Sequence, residues 1–167
     1  AATKRSCELL SQSYAKLYGF PQSGLRFFTV YGPWGRPDMA YFSFTEKMLK
    51  GETIEVFGEG KMARDFTYID DIVDGILGVL DHPPAQGGHE VYNIGDNDPV
   101  GLMDMITTLE TAMGIEAKKV FRPMQPGDVT ATFANIDKLN ALCGYKPKVM
   151  LADGLRRFVD WRRSYAG

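Results

Sequence analysis

Cysteine and histidine are scarce in these 167 residues, two of each, and that scarcity excludes several kinds of chemistry. Cys7 and Cys143 have no metal-ligand spacing. Both fall on apolar helix faces, so buried free thiols in a reducing, cytoplasmic setting are expected. His82 and His89 share one Pro/Gly-rich loop, which gives no basis for a histidine metal site or a triad; no metal is expected. No apolar run approaches the roughly 20 residues of a membrane helix, and no signal-peptide pattern opens the chain, so no membrane partner is expected. Lys and Arg number 19 against 21 Asp and Glu, and without a basic excess nucleic acid is not an expected partner. Glycine is plentiful but not arranged as a dinucleotide fingerprint. Gly32, Gly35 and Gly58-Glu59-Gly60 lack both its spacing and its strand-to-helix setting.

What is present is an alternation of strand and helix patterns. With 44% of its residues hydrophobic, the chain can build one compact unit over residues 1–167. Cys7, Leu10, Tyr14, Leu17 and Tyr18 recur at helical spacing over 3–18, closed by Gly19 and Pro21. The segment 24–31 reads as a strand apolar on both faces, which suits a sheet covered by helices on either side. Asp38 is expected to cap a helix running to Lys50, and Asp70 another with Ile72, Ile76, Val79 and Leu80 on one face. Strands are predicted at 53–57, 65–68, 91–94 and 118–121, and helices at 102–113, 135–143 and 152–164. Strands alternating with helices define an α/β fold.

Three segments carry the chemistry: Ala1-Ala2-Thr3-Lys4, the strand and loop Thr29-Val30-Tyr31-Gly32-Pro33-Trp34-Gly35-Arg36-Pro37-Asp38-Met39, and Arg64-Asp65-Phe66-Thr67-Tyr68-Ile69-Asp70-Asp71. They resemble the extended short-chain dehydrogenase/reductase superfamily, and within it nucleotide-sugar epimerases of the UDP-glucuronate 4-epimerase type. The resemblance implies the substrate-binding half of such an enzyme: the last strands and helices of a Rossmann-type sheet, without the glycine-rich dinucleotide-binding unit.

Site roles follow from the resemblance. Lys4 matches the lysine of the family's tyrosine-x-x-x-lysine signature, whose tyrosine would precede Ala1. There it is both catalytic and cofactor-binding, holding the nicotinamide ribose of NAD and lowering the tyrosine pKa by its charge. Phe27 is a further cofactor-side residue. Thr29 is implied at the sugar. Arg36, in the Gly-Pro-Trp-Gly-Arg-Pro-Asp loop, suits a C6 carboxylate because a guanidinium fork pairs with carboxylate oxygens; the plainer alternative is an ion pair with a neighbour such as Asp38. Arg64 is implied at the diphosphate, Phe57 at the uracil, and Asp128 at ribose hydroxyls. Gln125 stands where many relatives carry arginine, which leaves diphosphate binding more to Arg64. Asp65 is expected to be structural. Thr29, Arg36, Phe57, Arg64 and Asp128 are therefore expected on one concave face.

The implied activity is 4-epimerisation of UDP-glucuronate and UDP-galacturonate through a 4-keto sugar, with NAD as cofactor. Without the fingerprint and tyrosine, the chain alone is expected to be inactive and not to retain NAD. Its expected partners are a UDP-sugar, a dinucleotide-binding N-terminal half, and a second copy through helix 3–18. The alternatives are a non-catalytic nucleotide-sugar-binding or dimerisation module, and part of a 4,6-dehydratase or decarboxylase, which share the Arg64 segment.

Overall fold

The first helix, α1 (Ala2–Tyr18), ends where Gly19 turns left-handed at φ 75° and donates its N–H to Ala15 O at 2.9 Å. A computed structural model describes residues 1–165. Beyond α1 the order is β1 (Gln22–Phe27), β2 (Thr29–Tyr31), α2 (Ala40–Leu49), β3 (Thr53–Phe57), a 3-10 turn (Gly58–Gly60), β4 (Ala63–Tyr68) and α3 (Ile69–Leu80). It continues with β5 (His89–Ile94), β6 (Pro99–Gly101), α4 (Leu102–Met113), β7 (Lys118–Arg122), α5 (Asp137–Cys143) and α6 (Leu151–Tyr165). The fold is α/β, as the alternation predicts.

Strand pairing is mostly parallel. β1 runs beside β5, from Gln22 opposite His89 to Phe27 opposite Ile94. At Phe28 the chain changes partner. Its N–H still donates to Ile94 O at 3.3 Å, after which β2 pairs with β4, Thr29 opposite Phe66. The far edge of β4 takes antiparallel β6, and β3 pairs with β7. The expected single strand over 24–31 is thus two, split by this switch. Nor is it buried on both faces: Phe27, the last residue of β1, is 49% exposed.

Two apolar cores hold these layers. One gathers Tyr31, Tyr41, Ile54, Val56, Ile106, Leu109, Leu155 and Phe158 from β2, β3, α2, α4 and α6. The other gathers Ile72, Val79, Tyr92, Ile94, Leu139 and Tyr145 around α3, β5 and α5. Two buried carboxylates tie loops to this frame. Asp65 accepts backbone N–H bonds from Asp96 (2.7 Å), Asn97 and Ala134 (both 3.0 Å) and the Thr67 hydroxyl (3.2 Å). Asp71 accepts from Lys148 N and Val149 N, both at 3.0 Å, and so fixes the lead-in to α6. A buried charge persists only with partners of this kind.

Several local expectations give way to competing contacts. Asp38 does not cap α2, which starts from Met39; its carboxylate is taken by Arg36. Asp70 does not cap α3, which starts from Tyr68, and Asp70 lies 3.6 Å from Arg157 instead. Cys7 is exposed and Cys143 half-buried. The apolar stripe of α1 is uncovered, Leu17 being 74% exposed, while Ala15 on another face is fully buried. β6 is an addition to the predicted strands.

Candidate functional site

The carboxyl ends of β1 and β3, with Arg64 near the amino end of β4, face the N-terminal end of α2 and the loop that follows β7. Between them lies a cavity of about 380 Å³ lined by Thr29, Phe57, Arg64, Gln125 and Asp128, with Asp38, Met39, Tyr41, Ser43 and Phe44 from the far side. That volume falls within the range of small-molecule sites, about 300–1,000 Å³, and the crevice beyond parallel strand ends is where α/β sheets bind ligands. Five of the residues singled out from the sequence are therefore brought together across a hundred positions of chain.

Arg64 is the organising side chain. It sits on β4 opposite Val100 of β6. One Nη donates to Ala63 O at 2.9 Å; the other donates to Asp128 Oδ1 at 2.7 Å and lies 3.8 Å from Met62 Sδ. Asp128 Oδ1 also accepts the Val129 N–H at 3.0 Å. The ion pair thus joins the loop after β7 to the sheet. Its side chain, 22% exposed, borders both the main cavity and a second of about 570 Å³ lined by Arg26, Phe27, Thr29 and Asn93.

A third cavity, about 680 Å³, is lined by Lys4, Cys7, Glu8, Ser11, Arg26, Phe27, Arg36 and His89. The three adjoin through shared walls. Thr29 and Arg64 border the first two; Arg26 and Phe27 border the second and third. Within the third, Arg26 grips Glu8 with Nε at 2.6 Å and Nη2 at 2.8 Å, and Arg5 adds a contact at 2.5 Å. Hydrogen bonds from Arg26, then Arg5, hold the Glu8 carboxyl down to about 2.

Arg36 departs from the single-face expectation. It lines the third cavity beside Lys4 and Phe27 rather than the first. There it pairs locally, its Nε and Nη2 reaching Asp38 at 3.0 and 2.6 Å, and it is Asp38 that borders the main cavity. Hydrogen bonding from Arg36 lowers the Asp38 pKa. The exposed pair therefore stands between the two cavities. Asn93 donates to Asn135 O at 3.1 Å. Sequence reasoning missed the contribution of Met39, Tyr41, Ser43 and Phe44; their only signal was adjacency to the Arg36 loop.

Mostly parallel strand pairs, with an arginine, an aromatic ring and polar loop residues around a ligand-sized crevice, define an α/β protein with a candidate small-molecule site. The chain belongs to the NAD dependent epimerase/dehydratase family, whose profile matches residues 1–95. It is 46% identical over 177 residues to the probable UDP-glucuronate 4-epimerase of Rhizobium meliloti, covering 96% of this chain and 52% of that protein. It is 49% identical over 175 residues to UDP-glucuronate 4-epimerase 5 of Arabidopsis thaliana, covering 96% and 40%. The crystal structure of UDP-glucuronic acid 4-epimerase from Bacillus cereus with UDP-glucuronic acid and NAD superposes with a TM-score of 0.90 at 40% identity, over 98% of this chain and 52% of that one. The chain spans about half the length of the relatives it matches.

Proposed function

We propose that this chain supplies the nucleotide-sugar site of an NAD-dependent 4-epimerase interconverting UDP-glucuronate and UDP-galacturonate. The observation that carries the reading is the Arg64–Asp128 pair on the wall of a cavity shared with Thr29, Phe57 and Gln125. Relatives 46% and 49% identical to this chain are named UDP-glucuronate 4-epimerases. In this reading Arg64 holds the diphosphate with charge-assisted N–H donors. Phe57 stacks against the uracil, Asp128 accepts from ribose hydroxyls, and Gln125 adds a neutral polar contact at the nucleotide. Thr29, bordering both the first and second cavities, contacts the sugar. Arg36 reads the C6 carboxylate, for which its fork exchanges Asp38 for substrate.

Lys4 and Phe27 fit one end of NAD, not all of it. An ammonium and an aromatic ring bordering a 680 Å³ cavity suit a ribose and a flat base. A glycine-rich cradle for the pyrophosphate does not occur in this sequence. Bound NAD supplies hydride acceptance and return at the sugar's C4. Lys4 orients the nicotinamide ribose and, as a fixed cation, favours the phenolate of a tyrosine brought beside it. Supplying that tyrosine and the pyrophosphate cradle is the role of a dinucleotide-binding half. The uncovered stripe of α1, with Leu10, Tyr14 and Leu17, is the surface for a second copy, and the working compartment is the cytoplasm.

Isothermal titration tests the reading. The 167-residue chain should bind UDP and UDP-glucuronate while carrying no NAD and turning nothing over. Absence of any UDP binding would leave only a scaffold role.

A further inference from the structure

We infer that Trp34 is a positioning residue for Arg36, and that the last turn of α6 is the wall it is held against. The inference deepens the reading of Arg36 as the carboxylate partner and rests on it. Trp34 adopts φ 61°. A bulky side chain in the left-handed region is an outlier, and such strain persists only where the surroundings over-determine it. Here the surroundings are aromatic. The Trp34 ring meets Tyr165 edge-on with centroids 4.7 Å apart and Trp161 at 5.3 Å. Trp161 stacks on Tyr165 at 5.2 Å and reaches the fully buried Phe158 at 5.8 Å. All four distances suit aromatic pairing. A ring that is 72% exposed is thereby tied to the core through α6.

The opposite side of the loop is held as well. Buried Tyr41 donates its hydroxyl to Gly32 O at 3.4 Å. A Cβ on Gly35 would overlap that hydroxyl, so the backbone passes flush against Tyr41, where only glycine fits. The loop's own backbone bonds are few: Gly35 N–H to Gly32 O at 3.3 Å and Met39 N–H to Arg36 O at 3.2 Å. Arg36 and Asp38 are both exposed, and an exposed ion pair constrains little. The direction of Arg36 is therefore set by the backbone, clamped outside by Trp34 on α6 and inside by Tyr41. Preference for an acidic sugar then depends on α6, which contributes no residue to the three cavities and reaches their walls from behind, through Phe158 against Tyr41 at 4.8 Å.

Hydrogen–deuterium exchange of residues 32–39 reads the clamp directly, beside titrations with UDP, UDP-glucose and UDP-glucuronate. Trp34→Gly keeps the left-handed backbone but removes the ring, Trp34→Phe keeps an aromatic ring, and Tyr165→Ala removes the partner from the other side. Trp34→Gly should speed exchange in this loop and weaken UDP-glucuronate about tenfold while leaving UDP unchanged. Tyr165→Ala should shift both readouts in the same direction, and Trp34→Phe should restore them. Unchanged exchange in both Trp34→Gly and Tyr165→Ala would overturn the clamp. Faster exchange with an unaltered preference for UDP-glucuronate would overturn its role in recognition. Wild-type protein that binds UDP-glucuronate and UDP-glucose equally would overturn the carboxylate reading itself, a result independent of the exchange rates.

Discussion

Replacing Arg64 by alanine should weaken UDP far more than uridine. A guanidinium offers five N–H donors. In the structure one is spent on Ala63 O, one on Asp128, and one lies against Met62 Sδ, which leaves two for phosphate oxygens. Hydrogen bonds to charged groups are worth about 1.5–3 kcal/mol, or roughly ten- to a hundredfold in affinity. The loss should fall towards the upper end. Without Arg64, the Asp128 carboxylate stands unpaired where the diphosphate must sit, and adds repulsion to the missing attraction. Arg64→Ala/Asp128→Asn should therefore recover part of the loss, and Arg64→Lys, which keeps charge without the fork, should be intermediate. The fold should survive. The pair is partly exposed, at 22% and 34% for the two side chains, so even after solvent screening it contributes no more than about 1 kcal/mol. Titration calorimetry with UDP and uridine on the four proteins makes the comparison. Equal weakening of uridine and UDP, or no weakening of either, would refute the assignment of Arg64 to the diphosphate.

Arg36→Ala should cost UDP-glucuronate about ten- to a hundredfold while sparing UDP-glucose, because only the uronic acid offers a carboxylate; equal losses in competition titrations would remove this loop from sugar recognition. Asp96 gives a pH prediction. Burial, with the nearby charges of Asp65, Asp71 and Asp98, raises its carboxyl from the usual 3.8 to about 6. Between those values the folded state keeps a proton that the unfolded chain has lost, so stability falls as pH rises through the window and the penalty is complete above about 6. The interval of 6 − 3.8, about 2 units, sets a ceiling near 3 kcal/mol, which screening at this half-exposed site reduces to about 1–2. Asp96→Asn should then stabilise the protein by that amount at about pH 7.5 and change little at about pH 3.5, read by urea unfolding at the two pH values; equal stabilisation at both would refute it.

How much of this was legible in the sequence depends on where each element's constraints come from. β3 (Thr53–Phe57) and α4 (Leu102–Met113) match their predicted bounds because their punctuation is local: Gly51 and Gly58 flank one, Gly101 and Gly114 the other. Asp38 and Asp70 carried good capping signals, yet Asp38 pairs with Arg36 two residues earlier, the plainer alternative read from the sequence, while Asp70 lies by Arg157, which local pattern does not reveal. β6 (Pro99–Gly101) is three residues whose only ladder is to β4, dozens of positions earlier, so no periodicity announces it. In the site, Thr29, Phe57, Arg64, Gln125 and Asp128 lie at strand ends or on the loop those ends face, and topology brings them together. Arg36 sits on a loop whose course is set by a left-handed Trp34 and by contacts to α6. That information is tertiary, and Arg36 is accordingly the residue whose predicted position differs. The helix pattern of α1 was equally clear, but its burial was not, since nothing among the described residues covers Leu10 or Leu17.

The most direct test of the central claim is the product formed from UDP-glucuronate. The chain would be joined behind the dinucleotide-binding half of the Bacillus cereus enzyme, supplied with NAD, and followed by proton NMR of the sugar. The account predicts a mixture of UDP-glucuronate and UDP-galacturonate at unchanged total uronate. Release of carbon dioxide with a UDP-pentose, or loss of water from the sugar, would contradict it.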